Sequence, residues 1–210
     1  VTVALFTDFG ADDIYVGQMK AALLHHAAPG ATLIDMLHSA PNYDVRAAAH
    51  LLAALRGWYA PHMVFLCVVD PGVGSARDAV VLQADEQWFV GPDNGLLSVV
   101  AARSASVRTW RITWRPEPLS VSFHGRDVFA PVAGWVSRGE LPVDKLSVSS
   151  GLQVTCGAED LAEVIYIDHY GNVLTGLRSG NVAKHAHLRI AQADVVYARV
   201  FSDVPRGQAF

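Results

Sequence analysis

Residues 63–77 constrain the fold more than any other stretch. Met63-Val64-Phe65-Leu66-Cys67-Val68-Val69 is an uncharged run rich in β-branched residues, the pattern of a buried strand. It ends in a single carboxylate, Asp70, followed by Pro71-Gly72-Val73-Gly74 and then Arg77. A proline and two glycines force a sharp turn, so Asp70 sits where the strand stops. In an open α/β sheet the carboxyl end of a strand is where ligands bind. An Asp–Arg pair in such a place is as often structural as functional, since charge pairs mark sites only probabilistically. The rest of the chain decides.

Residues 1–6 read as a strand, 14–27 as a helix stopped by Pro29-Gly30, and 31–36 as a second strand ending near Asp35 and His38. Residues 45–55 form an Ala/Leu-rich helix with Asp44 as its N-cap. Together with 63–69 this is strand, helix, strand, helix, strand, the order of a parallel α/β layer. Residues 79–84 and 87–90 pair as a hairpin that runs into Gly91-Pro92-Asp93-Asn94-Gly95 and a short helix over 96–102. Residues 108–114 read as a strand, and 128–137 as a helix opened by Phe123-His124-Gly125-Arg126-Asp127. Turn signals fill 138–150, and the boundary falls there. The expected fold is an α/β domain with a largely parallel sheet, 1–150, and a smaller all-β, barrel-like domain, 151–210. Strands are expected in the latter over 162–168, 173–177, 187–190 and 194–201. A β domain of only about sixty residues that stops in a turn is expected to be truncated.

Composition narrows the function. Sixteen Lys and Arg against 20 Asp and Glu give a net charge of -4 with no basic stripe, so nucleic acid is not an expected partner. No apolar run reaches about 18 residues, which excludes a helical membrane span, and the first residues lack the basic segment of a signal peptide. Cys67 and Cys156 lie in strand-like contexts, which predicts buried free thiols and a cytoplasmic protein.

Polar clusters fall at strand ends or in turns: Asp8 after the first strand, Asp70 after the third, His124 before a helix, and Asp168-His169-Tyr170-Gly171-Asn172 between two strands. Each alone has an ordinary explanation as a cap or turn. Asp8 with Gly10, Asp12 and Asp13 is similar to the calcium-binding start of nucleoside hydrolases, but those place an acid where this chain has Phe6, and a cation site lacking a carboxylate is weakened. Taken in order, Thr7-Asp8-Phe9-Gly10, Val69-Asp70-Pro71-Gly72-Val73-Gly74 with Arg77, Gly91-Pro92-Asp93-Asn94-Gly95, Phe123-His124-Gly125-Arg126-Asp127 and Asp168-His169-Tyr170-Gly171-Asn172 make the pattern specific. The chain resembles the S-adenosylmethionine hydroxide adenosyltransferases, relatives of the fluorinase and chlorinase.

That resemblance implies an α/β domain followed by a β-barrel, a homotrimer with active sites between subunits, and conversion of S-adenosylmethionine and water to adenosine and methionine. S-adenosylmethionine is then substrate, and neither cofactor nor metal is expected. Asp70, Arg77 and His124 match the family's triad for handling water; the halogenating relatives carry Tyr in place of Asp70 and lack His124. Gly125, where the fluorinase has Ser and the chlorinase Gly, would alone leave a halide open. Asp8 is implied to bind the ribose hydroxyls, Tyr43 and Phe123 to line the nucleoside pocket, and Asp168 and Asn172 to hold the methionine end. Tyr170 replaces a more usual Phe. The family's adenine-binding segment has no counterpart before Phe210, which motivates the alternative of a binding protein without turnover.

Overall fold

The computed structural model of the chain describes every residue except Lys184, His185, His187, Arg199 and Ala209, and Phe201 by its backbone only. Two compact units result, Val1–Gly176 and Leu177–Phe210. The first is built on a seven-stranded sheet. Its strands are β1 (Thr2–Thr7), β2 (Thr32–Leu37), β3 (Val64–Val68), β4 (Ala79–Ala84), β5 (Gln87–Pro92), β6 (Val107–Ile112) and β7 (Leu146–Ser149), in the order β2-β1-β3-β5-β4-β6-β7. Strands β2, β1, β3 and β5 run parallel, and β4, β6 and β7 continue the sheet antiparallel.

Alternation along the central strands separates two cores. Val3 and Leu5 of β1 with Val64, Leu66 and Val68 of β3 face α1 (Ile14–His26) and α4 (Ala130–Ser137). Ala4 and Phe6 with Phe65 and Cys67 face α2 (Val45–Leu55) and the start of β8 (Leu161–Ile167). Every residue of β3 is buried, as a strand covered on both faces must be. Phe65 stacks on Phe89 of β5 at 4.6 Å between ring centroids. Cys67 is fully buried, and burial pushes its thiol far above the usual range; Cys156 is half-buried and also free.

Helix ends follow their local chemistry. Asp44 Oδ1 accepts from the Ala47 N–H at 2.9 Å and caps α2, as its position before the Ala-rich run predicts. Asp13 caps α1. The helix expected from 128 begins instead as a π turn over Gly125–Phe129 that continues into α4, so His124 stands at the mouth of the wider turn. Such turns recur at functional sites.

Other boundaries move. The helix expected over 96–102 is α3, Ser98–Ala102. Within the stretch expected to be only turns, Leu146–Ser149 forms β7, because Ile112↔Leu146 to Thr109↔Ser149 pairing supplies backbone partners that a Ser-rich sequence does not advertise. The strand β8 pairs with β9 (Val173–Gly176).

The second unit carries a hairpin of β10 (Leu188–Ile190) and β11 (Ala193–Val195). Of the expected strand 187–190, His187 lies outside the described residues. The expected strand 194–201 stops at Val195, where the ladder with Leu188 ends, and Phe201–Asp203 is a 3-10 turn. Its apolar residues signal a strand, but a strand also needs a neighbour for its backbone. Arg199 of that stretch is outside the described residues.

Candidate active site

The chain runs from β1 outward to β2, then back across to β3, so the order reverses between β1 and β3. Such a switch point opens a crevice at the carboxyl ends of the strands. Thr7 pairs with Val68 across it, which brings Asp8 and Asp70 to the same rim. A cavity of about 500 Å³ lies there. Asp8, Phe9, Val68, Asp70, Pro71 and Val73 come to it from the two strand ends, Asn42 and Tyr43 from the turn before α2, and Ser120 to Gly125 contribute Ser120, Ser122, Phe123, His124 and Gly125.

At its base Asp70 and Arg77 form a bidentate ion pair, with Arg77 Nε donating to Asp70 Oδ1 at 2.9 Å and Arg77 Nη2 to Oδ2. Both side chains are almost wholly buried. The Pro-Gly turn bends the chain back so that a residue seven positions on reaches the same carboxylate. Arg77 also lies over the Phe129 ring at 5.2 Å, and its Nη2 donates to His124 Nδ1 at 3.2 Å. An arginine has no acceptor, so Nδ1 carries the lone pair and the proton of neutral His124 sits on Nε2. Burial, and next the Arg77 charge, hold the His124 pKa below the ordinary histidine value. One cation thus fixes a carboxylate and a neutral imidazole in a single chain.

Asp8 is half-buried and its Oδ2 accepts from the Tyr43 N–H at 3.4 Å. Burial raises its pKa above the usual carboxylate value, and the Asp70 charge adds to this. Tyr43 adopts a left-handed backbone (φ 62°), uncommon for an aromatic residue, and the residue is 77% exposed beside the cavity. Phe123 meets Phe9 and Tyr15 edge-on at 5.9 and 5.6 Å.

Asp168, Tyr170 and Asn172 are not brought into the cavity lining. They form a self-contained turn between β8 and β9. Asp168 Oδ1 accepts from the N–H groups of Tyr170 (2.9 Å) and Asn172 (2.8 Å), Oδ2 accepts from Asn172 Nδ2 at 2.8 Å, and Tyr170 is 80% exposed. The Asn172 side-chain hydrogen bond leads the causes that lower the Asp168 pKa.

The Gly91-Pro92-Asp93-Asn94-Gly95 motif braces rather than lines the site. Asn94 Nδ2 donates to the Val69 carbonyl at 2.9 Å, and the Asp93 carboxylate accepts from the Gln153 N–H at 2.9 Å. A Cβ on Gly91 would fall 2.4 Å from the Cys67 carbonyl oxygen, so only glycine lets β5 lie this close to β3.

Tyr15, Phe9, Asn42, Ser120 and Ser122 line the cavity and were not singled out as site residues in the sequence, and Asp13, which also lines it, was weighed there only as part of a cation site. Tyr15 read there as part of the helix over 14–27. The one available signal was aromatic, Phe9 and Tyr15 flanking a carboxylate-rich turn. Among the described residues, no group of three or more His, Cys, Asp or Glu is gathered as a metal site, and no helix is long and apolar enough to cross a membrane.

Fold and site together define an α/β protein with a polar, small-molecule cavity at its switch point. The model of the SAM hydroxide adenosyltransferase N-terminal domain matches residues 3–147, and that of the C-terminal domain residues 162–210. The chain belongs to the SAM hydroxide adenosyltransferase family. It is 37% identical over 221 residues to an (R)-S-adenosyl-L-methionine hydrolase of Salinispora arenicola (strain CNS-205), covering 98% of this chain and 83% of the relative. A crystal structure of an uncharacterized conserved protein from Thermotoga maritima superposes with a TM-score of 0.85 at 33% identity, covering 98% of this chain and 86% of that one. A fluorinase from Actinoplanes sp. (strain N902-109) is more distant, 24% identical over 166 residues, 65% of this chain and 54% of its own length.

Proposed function

We propose that this chain hydrolyses S-adenosylmethionine to adenosine and methionine by in-line attack of water on the ribose 5′ carbon. The observation that carries the reading is the buried Asp70–Arg77–His124 chain on the wall of the cavity that Asp8 also lines. The C5′–O bond forms as the C5′–S bond breaks, the C–S electron pair goes to sulfur, and the water gives up one proton. The leaving group is a neutral thioether, so no general acid is needed and no cofactor is invoked. Holding water in line with C5′ can supply roughly 7–11 kcal/mol.

In this reading the free Nε2–H edge of His124 donates to the water oxygen, and Asp70 accepts one of the water's protons through a lone pair that Arg77 leaves open. Arg77 already engages both Asp70 oxygens, so Asp70 orients the water in the ground state and takes its proton only as the C–O bond forms. Such assistance is worth about 10²–10⁴-fold. Asp8 accepts the two ribose hydroxyls, and Phe123 and Tyr43 flank the nucleoside.

We further take the protein to be a cytoplasmic homotrimer. Two free cysteines fit a reducing compartment. Asp168, Tyr170 and Asn172 lie outside the lining of their own chain's cavity, and Tyr170 and Asn172 are exposed, as residues that serve a neighbour's cavity would be. The names of relatives specify the (R) sulfonium epimer, and we extend that preference to this chain.

The test is turnover of each sulfonium epimer, with and without chloride, followed by separation of products. Adenosine and methionine in both buffers, faster from the (R) epimer and lost by about 10²-fold or more in Asp70→Asn and His124→Ala, are expected. A 5′-chloro nucleoside would instead establish a halide transferase, and tight adenosine binding without turnover a binding protein.

A further inference from the structure

The loop that carries Asp8 is tied to a buried side-chain relay that none of the roles above uses. Thr7, the residue before Asp8, is fully buried, and His38 just after β2 is 6% exposed. Thr7 Oγ1 lies 2.8 Å from His38 Nδ1, and His38 Nε2 lies 3.0 Å from Asp35 Oδ1. Asp35 Oδ2 in turn accepts from Lys20 Nζ at 2.7 Å at the surface. At the inner end Thr7 Oγ1 accepts from the Phe9 N–H at 3.3 Å.

The direction of each bond follows from its ends. An ionised carboxylate only accepts, so His38 Nε2–H donates to Asp35; in the neutral ring Nδ1 then accepts the Thr7 hydroxyl proton, and the Thr7 oxygen accepts from Phe9. Burial raises the Asp35 pKa, but hydrogen bonds from Lys20 and His38 outweigh it and leave the carboxylate below its usual value, which keeps the outer end of the relay ionised.

The backbone on either side of Asp8 is anchored separately: the Ala40 N–H donates to the Thr7 carbonyl at 3.0 Å, and the Gly10 N–H to the His38 carbonyl at 2.7 Å. Between those anchors the Phe9 N–H is held by the Thr7 hydroxyl, and Asp8 and Phe9 flank the peptide it belongs to. Both side chains line the cavity. The relay therefore acts on the peptide that sets where the Asp8 carboxylate and the Phe9 ring point. The β1–β2 register shift between Leu5 and Phe6, which brings Phe6 opposite Leu37, leaves His38 beside Thr7.

We propose that Thr7 and His38 are positioning residues that aim Asp8 at its ligand, with Asp35 fixing the His38 tautomer. The proposal rests on the reading that Asp8 holds the ribose hydroxyls. Those hydroxyls are remote from the bond being made, so Asp8 contributes equally to ground and transition states, and loosening it raises KM while kcat holds.

The test is steady-state kinetics with S-adenosylmethionine on the full chain, with adenosine affinity by titration calorimetry and thermal unfolding alongside. Thr7→Val, which keeps shape and deletes the hydroxyl, is expected to raise KM and weaken adenosine binding about tenfold with kcat within about twofold. Thr7→Ser, which keeps the hydroxyl, is expected to stay near the parent. If Val and Ser behave alike, or if Thr7→Val lowers kcat at unchanged KM, the relay is overturned and Thr7 is a packing residue. Should Thr7→Val fail to fold, His38→Leu against His38→Asn gives the same contrast, because the Asn amide oxygen can replace Nδ1 as acceptor. Asp8→Asn separates the two levels. A KM unchanged in Asp8→Asn overturns the assignment of Asp8 and the relay with it, whereas a raised KM there with none in Thr7→Val overturns the relay alone.

Discussion

His124 is a histidine whose proton is placed by its neighbour. Arg77 occupies Nδ1, so the imidazole works as a neutral donor, and protonating it would set a cation against a guanidinium 3.2 Å away. Its pKa is held below the ordinary value, by burial first and then by Arg77. The acid limb of kcat/KM is therefore expected to fall below about 6.5, where an unperturbed histidine titrates. Stability follows the same sign. The unfolded chain binds the proton more readily, so this contribution is complete above the unfolded pKa and is lost as pH falls through the folded one. Urea unfolding across that window, compared with His124→Gln, checks it: the parent loses stability on acidification and the variant loses less. The identities of Asp70, Arg77 and His124 were legible because a strand end, a Pro-Gly turn and a helix start each mark themselves in sequence. Their hydrogen-bond order was not, since it depends on where a guanidinium with five donors points.

At the level of elements, two loops form one side of the cavity wall: the turn after β3 and the strap between β6 and the π turn. They meet where Arg77 reaches His124 and again at Gly74. Gly74 has φ +82°, and a Cβ there would lie 2.6 Å from the Val121 carbonyl oxygen. Gly74→Ala would meet both the left-handed penalty of roughly 1–2 kcal/mol and a backbone clash, so the strap that carries Phe123 and His124 must move outward. Lower kcat is expected from a protein that still melts cooperatively, readable by pairing kinetics with thermal unfolding. The central strands and flanking helices were legible from apolar runs and caps. Strand β7 was hidden because an edge strand is defined by its partner's backbone, and 194–201 misled because apolar residues there lack a ladder beyond Val195. Tyr15 was hidden for a related reason: α1 begins at Ile14, and the helix pattern absorbed it although it lines the cavity.

For the whole molecule, none of Asp168, Tyr170 and Asn172 lines the cavity of its own chain. Sedimentation is expected to give a trimer, and Tyr170→Ala or Asn172→Ala to raise KM with little change in melting temperature, since neither side chain supports its own chain's core. Mixing Asp70→Asn protomers with Asn172→Ala protomers tests the sharing directly: if sites lie between chains, some mixed sites hold both intact residues and regain parental KM. An unchanged KM in the mixture would place each site within one chain.

Strand β3 also carries its own clock. Cys67 lies three residues before Asp70 with a fully buried thiol whose ionisation burial suppresses, and only the thiolate reacts with a disulfide reagent. Labelling of Cys67 must wait for the strand to open, while the half-buried Cys156 reports the faster background in the same molecule. The ratio of the two rates measures how often the central sheet breathes beneath the site. Adenosine bound at the strand ends is expected to slow the Cys67 rate and leave that of Cys156 largely unchanged.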